Sequence, residues 1–264
     1  MNLIIDPVQE EKRITRFIRE TLAKTKLDGI VVAVSGGVDS AIVLTLVVKA
    51  IGPQETYALL LPYGNLSSEP MVRAKAYIEM LGLPAENVRT IDITPIVHTI
   101  VETLKIPESE VVRIGNIMAR SRMIVLYDYA KKHGLLVCGT ENRSEFYLGY
   151  YTRFGDEASD IEPIRHLYKT QIYQFARFLG VSEEITRAVP TAGLWTGQTD
   201  EEQLGFSYKE ADEVFSAYYD QKKTVDEIEK TIPTARKIIA YAKRNSFKHA
   251  VPYLLKQELT KGEM

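Results

Sequence analysis

The stretch Ile30-Val31-Val32-Ala33-Val34-Ser35-Gly36-Gly37-Val38-Asp39-Ser40-Ala41-Ile42-Val43-Leu44 decides the fold. A short apolar, β-branched run stops abruptly at a serine and two glycines, and Ala41 to Ala50 is then apolar almost all round. The first part reads as a strand buried on both faces and the last as a buried helix. Upstream, Pro7 to Lys26 sets Ile14, Phe17, Ile18 and Leu22 on one helical face. Downstream, Thr56 to Leu61, Val88 to Ile93 and Leu135 to Gly139 read as further strands. Between and after them, Ser68 to Leu81, Ser109 to Lys132 and Glu141 to Leu148 read as helices. Apolar strands alternating with helices predict an α/β fold, an open doubly wound parallel sheet with right-handed crossovers. Ligands on such sheets sit beyond the carboxyl ends of the strands, where the loops after Val34 and Cys138 leave.

The last third changes character. Lys169 to Leu179, Tyr208 to Tyr219, Val225 to Thr231 and Thr234 to Arg244 all read as helices added C-terminal to the sheet. Gly155 to Ser159 and Thr191 to Gly205, rich in Gly, Thr, Asp and Gln, read as mobile loops, either lids or plain surface.

With 264 residues, 45% hydrophobic and 26% charged, the chain has the make-up of an ordinary globular protein. A net charge of −2 gives no global attraction to nucleic acid or acidic membranes. One cysteine, Cys138, excludes an internal disulfide, and its apolar surroundings make it a core thiol rather than a nucleophile. The charged N-terminal segment is no secretory signal, no apolar run approaches a membrane span, and the chain reads as cytoplasmic.

The loop Ser35 to Ser40 carries the chemistry. Two glycines let backbone amides approach an anion, and the helix that follows presents free N–H groups and the positive end of its dipole. Ser35 and Ser40 can donate to phosphate oxygens, whereas Asp39 beside a polyphosphate calls for an intervening cation such as Mg²⁺. There is no P-loop lysine signature and no Gly-x-Gly-x-x-Gly dinucleotide fingerprint. The loop resembles the pyrophosphate-binding loop of the N-type ATP pyrophosphatases. That resemblance implies a Rossmann-like, adenine nucleotide α-hydrolase-like fold in which ATP is attacked at its α-phosphate. A bare glycine turn between strand and helix is the plainer alternative.

Further segments narrow the family. They are Asn116-Ile117-Met118-Ala119-Arg120-Ser121-Arg122-Met123, Gly139-Thr140-Glu141-Asn142-Arg143-Ser144-Glu145, and Gly149-Tyr150-Tyr151-Thr152-Arg153-Phe154-Gly155-Asp156. Pro190-Thr191-Ala192-Gly193-Leu194-Trp195 and Gly197-Gln198-Thr199-Asp200-Glu201 follow. From about Ile30 to Pro252 these resemble ammonia-dependent NAD⁺ synthetase. The resemblance implies that the carboxylate of deamido-NAD⁺ attacks ATP, releasing pyrophosphate, and that ammonia displaces AMP from the acyl-adenylate to give NAD⁺. It also implies a homodimer; that no nucleic acid or membrane is a partner is expected from the net charge and the lack of an apolar span. Residues 1–264 are then expected to form a single synthetase domain, with no glutamine amidase domain and, as nitrogen donor, free ammonia or ammonia delivered by a partner.

Carried over position by position, the resemblance assigns ATP to Ala33, Val34, Ser35, Gly36, Gly37, Val38, Asp39, Ser40, Thr140, Lys169 and Thr191. It assigns Mg²⁺ to Asp39 and Glu145, and deamido-NAD⁺ to Arg120, Arg153, Asp160, Phe247 and Lys248. Asp156 is the candidate for taking the proton of incoming ammonium. Locally, Thr140 also reads as a helix cap, Glu145 and Asp160 as solvated carboxylates, Lys169 as a surface lysine and Asp156 as a turn residue. Arg153 departs from a lysine common in the family, and Phe247-Lys248 from its His-Lys pair. His249 reads either as a substitute for that histidine or as an exposed residue. Rival readings are a GMP-synthetase-like amidating enzyme, a tRNA-thiolating enzyme, which normally needs paired cysteines, and a non-catalytic ATP-binding module.

Overall fold

The computed structural model describes residues 3–195 and 197–253. Four strands, β1 (Gly29–Ala33), β2 (Thr56–Leu60), β3 (Val88–Thr90) and β4 (Leu135–Cys138), form one parallel sheet in the order β3-β2-β1-β4. Val32 of β1 lies opposite Ala58 of β2 on one side and Cys138 of β4 on the other. The chain leaves β1 toward β2 and β3 and comes back to β4 on β1's opposite flank. The loops after β1 and β4 therefore meet at the switch point of the sheet, where such folds bind ligands.

Twelve α-helices are described: α1 (Pro7–Thr25), α2 (Val38–Ile51), α3 (Ser68–Met80), α4 (Thr94–Thr103), α5 (Val111–His133) and α6 (Arg143–Leu148). They continue as α7 (Lys169–Leu179), α8 (Glu183–Thr186), α9 (Asp200–Leu204), α10 (Tyr208–Phe215), α11 (Val225–Glu229) and α12 (Ala235–Asn245). Alternating strand residues feed two cores. Ile30, Val32, Leu60 and Cys138 pack with Ile18 of α1, Ile42 and Leu46 of α2 and Phe175 of α7. Val31, Leu59 and Val137 face the other way, onto Val97 of α4 and Met118 and Ala130 of α5. Each fully buried aliphatic side chain of this kind contributes about 1.5–3 kcal/mol relative to exposure, which is why α2 is apolar on every side. A third cluster, with Leu148, Leu204, Phe215, Ile238 and Ile239, is built by α6, α9, α10 and α12 beside the sheet.

The doubly wound expectation matches this architecture, with local differences; two of the helices, α4 and α8, were not expected. The third strand ends at Thr90 rather than Ile93: the amides of Ile91 and Ile93 still donate to Leu60 and Pro62, but Asp92 accepts from the Thr94 amide (2.9 Å) and turns the chain into α4. The helix expected over Tyr208 to Tyr219 widens after Phe215 into a π-turn, Ser216–Asp220, with Gln221 N donating to Ser216 O. The widened turn lets Asp220 accept from Arg143 Nη2 (2.7 Å) and Tyr168 Oη (2.9 Å). Helix α9 lies inside the stretch expected to be a mobile loop.

Candidate active site

The glycine loop is held in shape before any ligand arrives. Ser40 Oγ donates to Gly37 O (3.0 Å), and the Ser35 and Ser40 hydroxyls lie 3.1 Å apart. Gly36 has φ +83°, and a Cβ there would stand 2.2 Å from the carbonyl oxygen of Pro70, so only glycine fits the loop under α3. Gly37 caps α2 without any side-chain bond, which leaves the first turn's amides for an anion.

Asp39, in that first turn, meets two groups from distant sequence. Asn142 Nδ2 donates to its Oδ1 (2.9 Å), and Lys169 Nζ donates to its Oδ2 (2.6 Å) and to Glu145 Oε1 (3.0 Å). Asn142 also caps α6 in a capping box with Glu145, so the residue that starts the helix aims its acid. Lys169, expected from local pattern to be a surface lysine, is only 3% exposed. Burial acts to lower its pKa, but Asp39 and Glu145 outweigh that and hold the ammonium well above the usual lysine value. Burial raises Glu145 to about 7, against the pull of Lys169 and with the push of Asp39. Both shifts are upward, which favours the charged form of Lys169 and the neutral form of Glu145, because one cation serves two acids; Asp39, at the shorter distance, is its principal partner.

Two carboxylates converging on one cation form a donor set suited to a hard divalent ion. Among the described residues no group of three or more His, Cys, Asp or Glu could hold a metal. Mg²⁺ is commonly held by one or two carboxylates plus substrate phosphates, so Asp39 and Glu145 fit that ion in the company of ATP and not as a closed cage.

These groups open into a cleft of ≈ 510 Å³ at the switch point. Ala33 to Ser40, Thr140, Glu145, Asp156, Lys169, Thr191 and Lys248 all line it. Lys248 Nζ donates to the carbonyls of Gly149 (2.6 Å) and Tyr151 (2.8 Å), and burial lowers its pKa. Asp156 is accessible from the cleft, yet the protein around it raises its carboxyl pKa by desolvation, against the Thr152 amide (2.9 Å) and the charge of Arg122. Its accessible surface faces the cleft, which reconciles access with desolvation.

Arg120, Arg153, Asp160 and Phe247 lie outside that lining. Arg120 Nη2 donates to Arg153 O (3.2 Å), and the Arg153 guanidinium lies 5.4 Å from the Phe247 ring. Asp160 Oδ2 accepts from Val137 N (2.8 Å), satisfying the open edge of β4. His249 is neither exposed nor turned to the cleft: its ring stacks on Phe146 at 4.4 Å, with Nε2 2.7 Å from Phe146 O. Cys138 is a core thiol, which burial pushes above its ordinary pKa.

Three residues without an assigned role shape the same cleft. Asn142 caps α6 in place of the expected Thr140, and it holds Asp39; its three-residue spacing to Glu145 is the capping-box signal that could have found it. Arg122 donates from Nε to Leu61 O (3.1 Å) at the cleft wall. Asp200 accepts from Tyr150 Oη (3.1 Å), Tyr208 Oη (3.0 Å) and Ala192 N (3.0 Å), pinning the loop that carries Thr191. Nothing local in the sequence separates Asp200 from an ordinary first-turn acid.

The sequence matches the family model for NAD synthase over residues 10–252. It is 41% identical to the NH(3)-dependent NAD(+) synthetase of Pyrococcus furiosus, over 89% of this chain and 88% of that protein. The structure is similar to that of an NMN synthetase from Francisella tularensis (TM-score 0.83, 32% identity), covering 97% of this chain and all of the other. It is also similar to an NH3-dependent NAD synthetase from Campylobacter jejuni (TM-score 0.81, 28% identity), covering 96% of this chain and all of the other. A glycine loop, two facing acids and their lysine at the switch point, set in sequence shared across nearly the whole length, have one common source: the chain belongs to the NAD synthase family.

Proposed function

We propose that this enzyme amidates deamido-NAD⁺ with ammonia at the expense of ATP, giving NAD⁺, AMP and pyrophosphate. The observation that carries this is the meeting of Asp39, Glu145 and Lys169 above the glycine loop, in a chain so similar to NH(3)-dependent synthetases. A substrate carboxylate oxygen attacks the α-phosphorus, the bond to the β-phosphate oxygen breaks, and pyrophosphate leaves. The nitrogen of ammonia then bonds the acyl carbon and gives up one proton to solvent, the bond to the adenylate oxygen breaks, and AMP leaves.

The loop amides and the hydroxyls of Ser35 and Ser40 receive the phosphates, Thr140 and Thr191 hold the nucleotide, and Lys169 meets charge that builds on the leaving group. Mg²⁺ on Asp39 and Glu145 would neutralise the polyphosphate. Asp156 accepts the proton shed as ammonium becomes ammonia, a task suited to a carboxyl whose pKa burial raises. Lys248 faces the substrate in the cleft, while Arg120, Arg153, Asp160 and Phe247 meet only a dinucleotide that extends beyond it. The exposed Val112 and Ile124 on α5 support a homodimer along that helix. A single synthetase domain in the cytoplasm using free ammonia completes the reading; among the described residues no helix is long and apolar enough to cross a membrane.

The likeness to an NMN synthetase favours a second acceptor, the nicotinate mononucleotide. One experiment separates the cases: incubate with ATP, Mg²⁺, an ammonium salt and either deamido-NAD⁺ or the mononucleotide, and identify the products. NAD⁺, AMP and pyrophosphate in equal amounts are expected; ADP and phosphate would refute cleavage at the α-phosphate, and faster amidation of the mononucleotide would favour the second acceptor. Asp39→Ala should abolish pyrophosphate release from a folded protein.

A further inference from the structure

Asp212, on α10, is fully buried and touches no cleft-lining acid, yet it joins the two segments that carry the acid–lysine pair. Its Oδ1 accepts a hydrogen bond from Ser144 Oγ, and its Oδ2 accepts from Thr170 N (2.7 Å). Ser144 Oγ in turn accepts from Lys169 N (2.8 Å). The chain neighbours of these anchored residues are the ones that matter: Glu145 follows Ser144, and Lys169 precedes Thr170.

We infer that Asp212 is a positioning residue that sets the spacing of Glu145 and Lys169 by clamping the first turns of α6 and α7 to the C-terminal helical layer. The inference rests on the ATP-handling part of the proposed function. The first amides of α7, at Lys169 and Thr170, have no partner within their own helix, and a negative group there is favourable. A carboxylate suits the place because it accepts from both sides and donates nothing. An amide would turn its Nδ2 toward either the Thr170 amide, a donor, or the Ser144 hydroxyl, whose hydrogen would then lose its acceptor. Two helix starts from distant sequence thereby share one fixed point, on the helix that gives Ala211, Val214 and Phe215 to the third apolar cluster and not on the sheet.

The test is calorimetric titration with Mg²⁺ and α,β-methylene-ATP, whose α–β linkage cannot be cleaved, together with KM for ATP and for deamido-NAD⁺. Wild type, Asp212→Asn, Ser144→Ala and the double variant are compared. Asp212→Asn is expected to bind the analogue about tenfold more weakly, as loss of one charge-assisted hydrogen bond implies. Ser144→Ala should weaken it less, the double variant should be no worse than Asp212→Asn, and KM for deamido-NAD⁺ should stay within about twofold. A folded Asp212→Asn with wild-type analogue affinity, or with both substrates impaired alike, overturns the inference. If Asp212→Asn does not fold, wild-type affinity in folded Ser144→Ala overturns it. Analogue binding requires no amidation product, so a wild type that binds the analogue but makes no NAD⁺ refutes the proposed function and leaves Asp212 still testable.

Discussion

The Lys169 ammonium lies 2.6 Å from the Asp39 carboxylate, across 130 residues of sequence. Lys169 is also the cation for Glu145, so removing it leaves two acids facing each other in a poorly solvated place. Lys169→Met should destabilise the metal-free protein by about 3 kcal/mol and slow pyrophosphate release about 10²–10³-fold. Millimolar Mg²⁺ should restore more stability to the variant than to wild type. Urea unfolding with and without MgCl₂ checks this, and a variant as stable as wild type without the metal would sink it.

Gly36 and Gly37 are adjacent but not equivalent. A Cβ at Gly36 meets Pro70 O at 2.2 Å with φ at +83°, whereas one at Gly37 meets only the Ser35 hydroxyl, at 3.3 Å. Gly36→Ala should cost at least about 2 kcal/mol and raise KM for ATP, while Gly37→Ala should cost clearly less. Equal unfolding midpoints for the two variants would contradict this account of the loop.

Glu141 and Glu162 share Arg165 beneath the cleft, and burial raises their carboxyls to about 8 and about 7 respectively. A carboxyl whose folded value lies above its unfolded one binds more protons when folded, so stability falls as pH rises through that window. For Glu141 the window runs from about 4.5 to about 8. Glu141→Gln should therefore be more stable than wild type at pH 8, by at least about 1 kcal/mol, and gain little at pH 5. Denaturant midpoints at the two pH values measure it; a gain as large at pH 5 would rule out titration as its cause.

Asp200 holds Ala192 N and two tyrosines at once, and one of these, Tyr208, has its ring 5.2 Å from Lys169 Nζ. Asp200→Asn should weaken this hub by about 1.5–3 kcal/mol, seen as faster proteolysis within 191–199 and a higher KM for ATP. An unchanged cleavage rate would mean that the loop is held by other contacts.

The alternation of strands and helices was legible because β1, β2 and β4 are apolar on both faces and the glycine breaks after β1 and β4 are sharp; the edge strand β3, Val88-Arg89-Thr90, is the exception, and its extent was read too long. Asp39 was legible from the chemistry of its own loop, but Glu145 and Lys169, which meet it from two other segments, were legible only through family resemblance. Local pattern alone read Lys169 as exposed, because its burial depends on acids 130 and 24 residues away. Asp212 looked like any charge on an amphipathic helix for the same reason: Ser144 is 68 residues distant. Phe247 and Arg153 were noticed as departures, and what they do together, a guanidinium against a ring, belongs to packing and not to motif.

The three apolar clusters have a further consequence. Asp39 rides on α2, in the cluster against the sheet, and Glu145 on α6, beside the helical one; Lys169 stands between Tyr168, which joins the helical cluster, and Ile172, which joins the one against the sheet. The groups proposed to handle ATP thus straddle a seam between two apolar clusters, and a nucleotide gripped from both sides would act as a rivet. Ligand should slow hydrogen exchange in α10 and α12 far more than in β1, which its own core already protects. Equal protection on both sides of the seam would show instead that the two units open together.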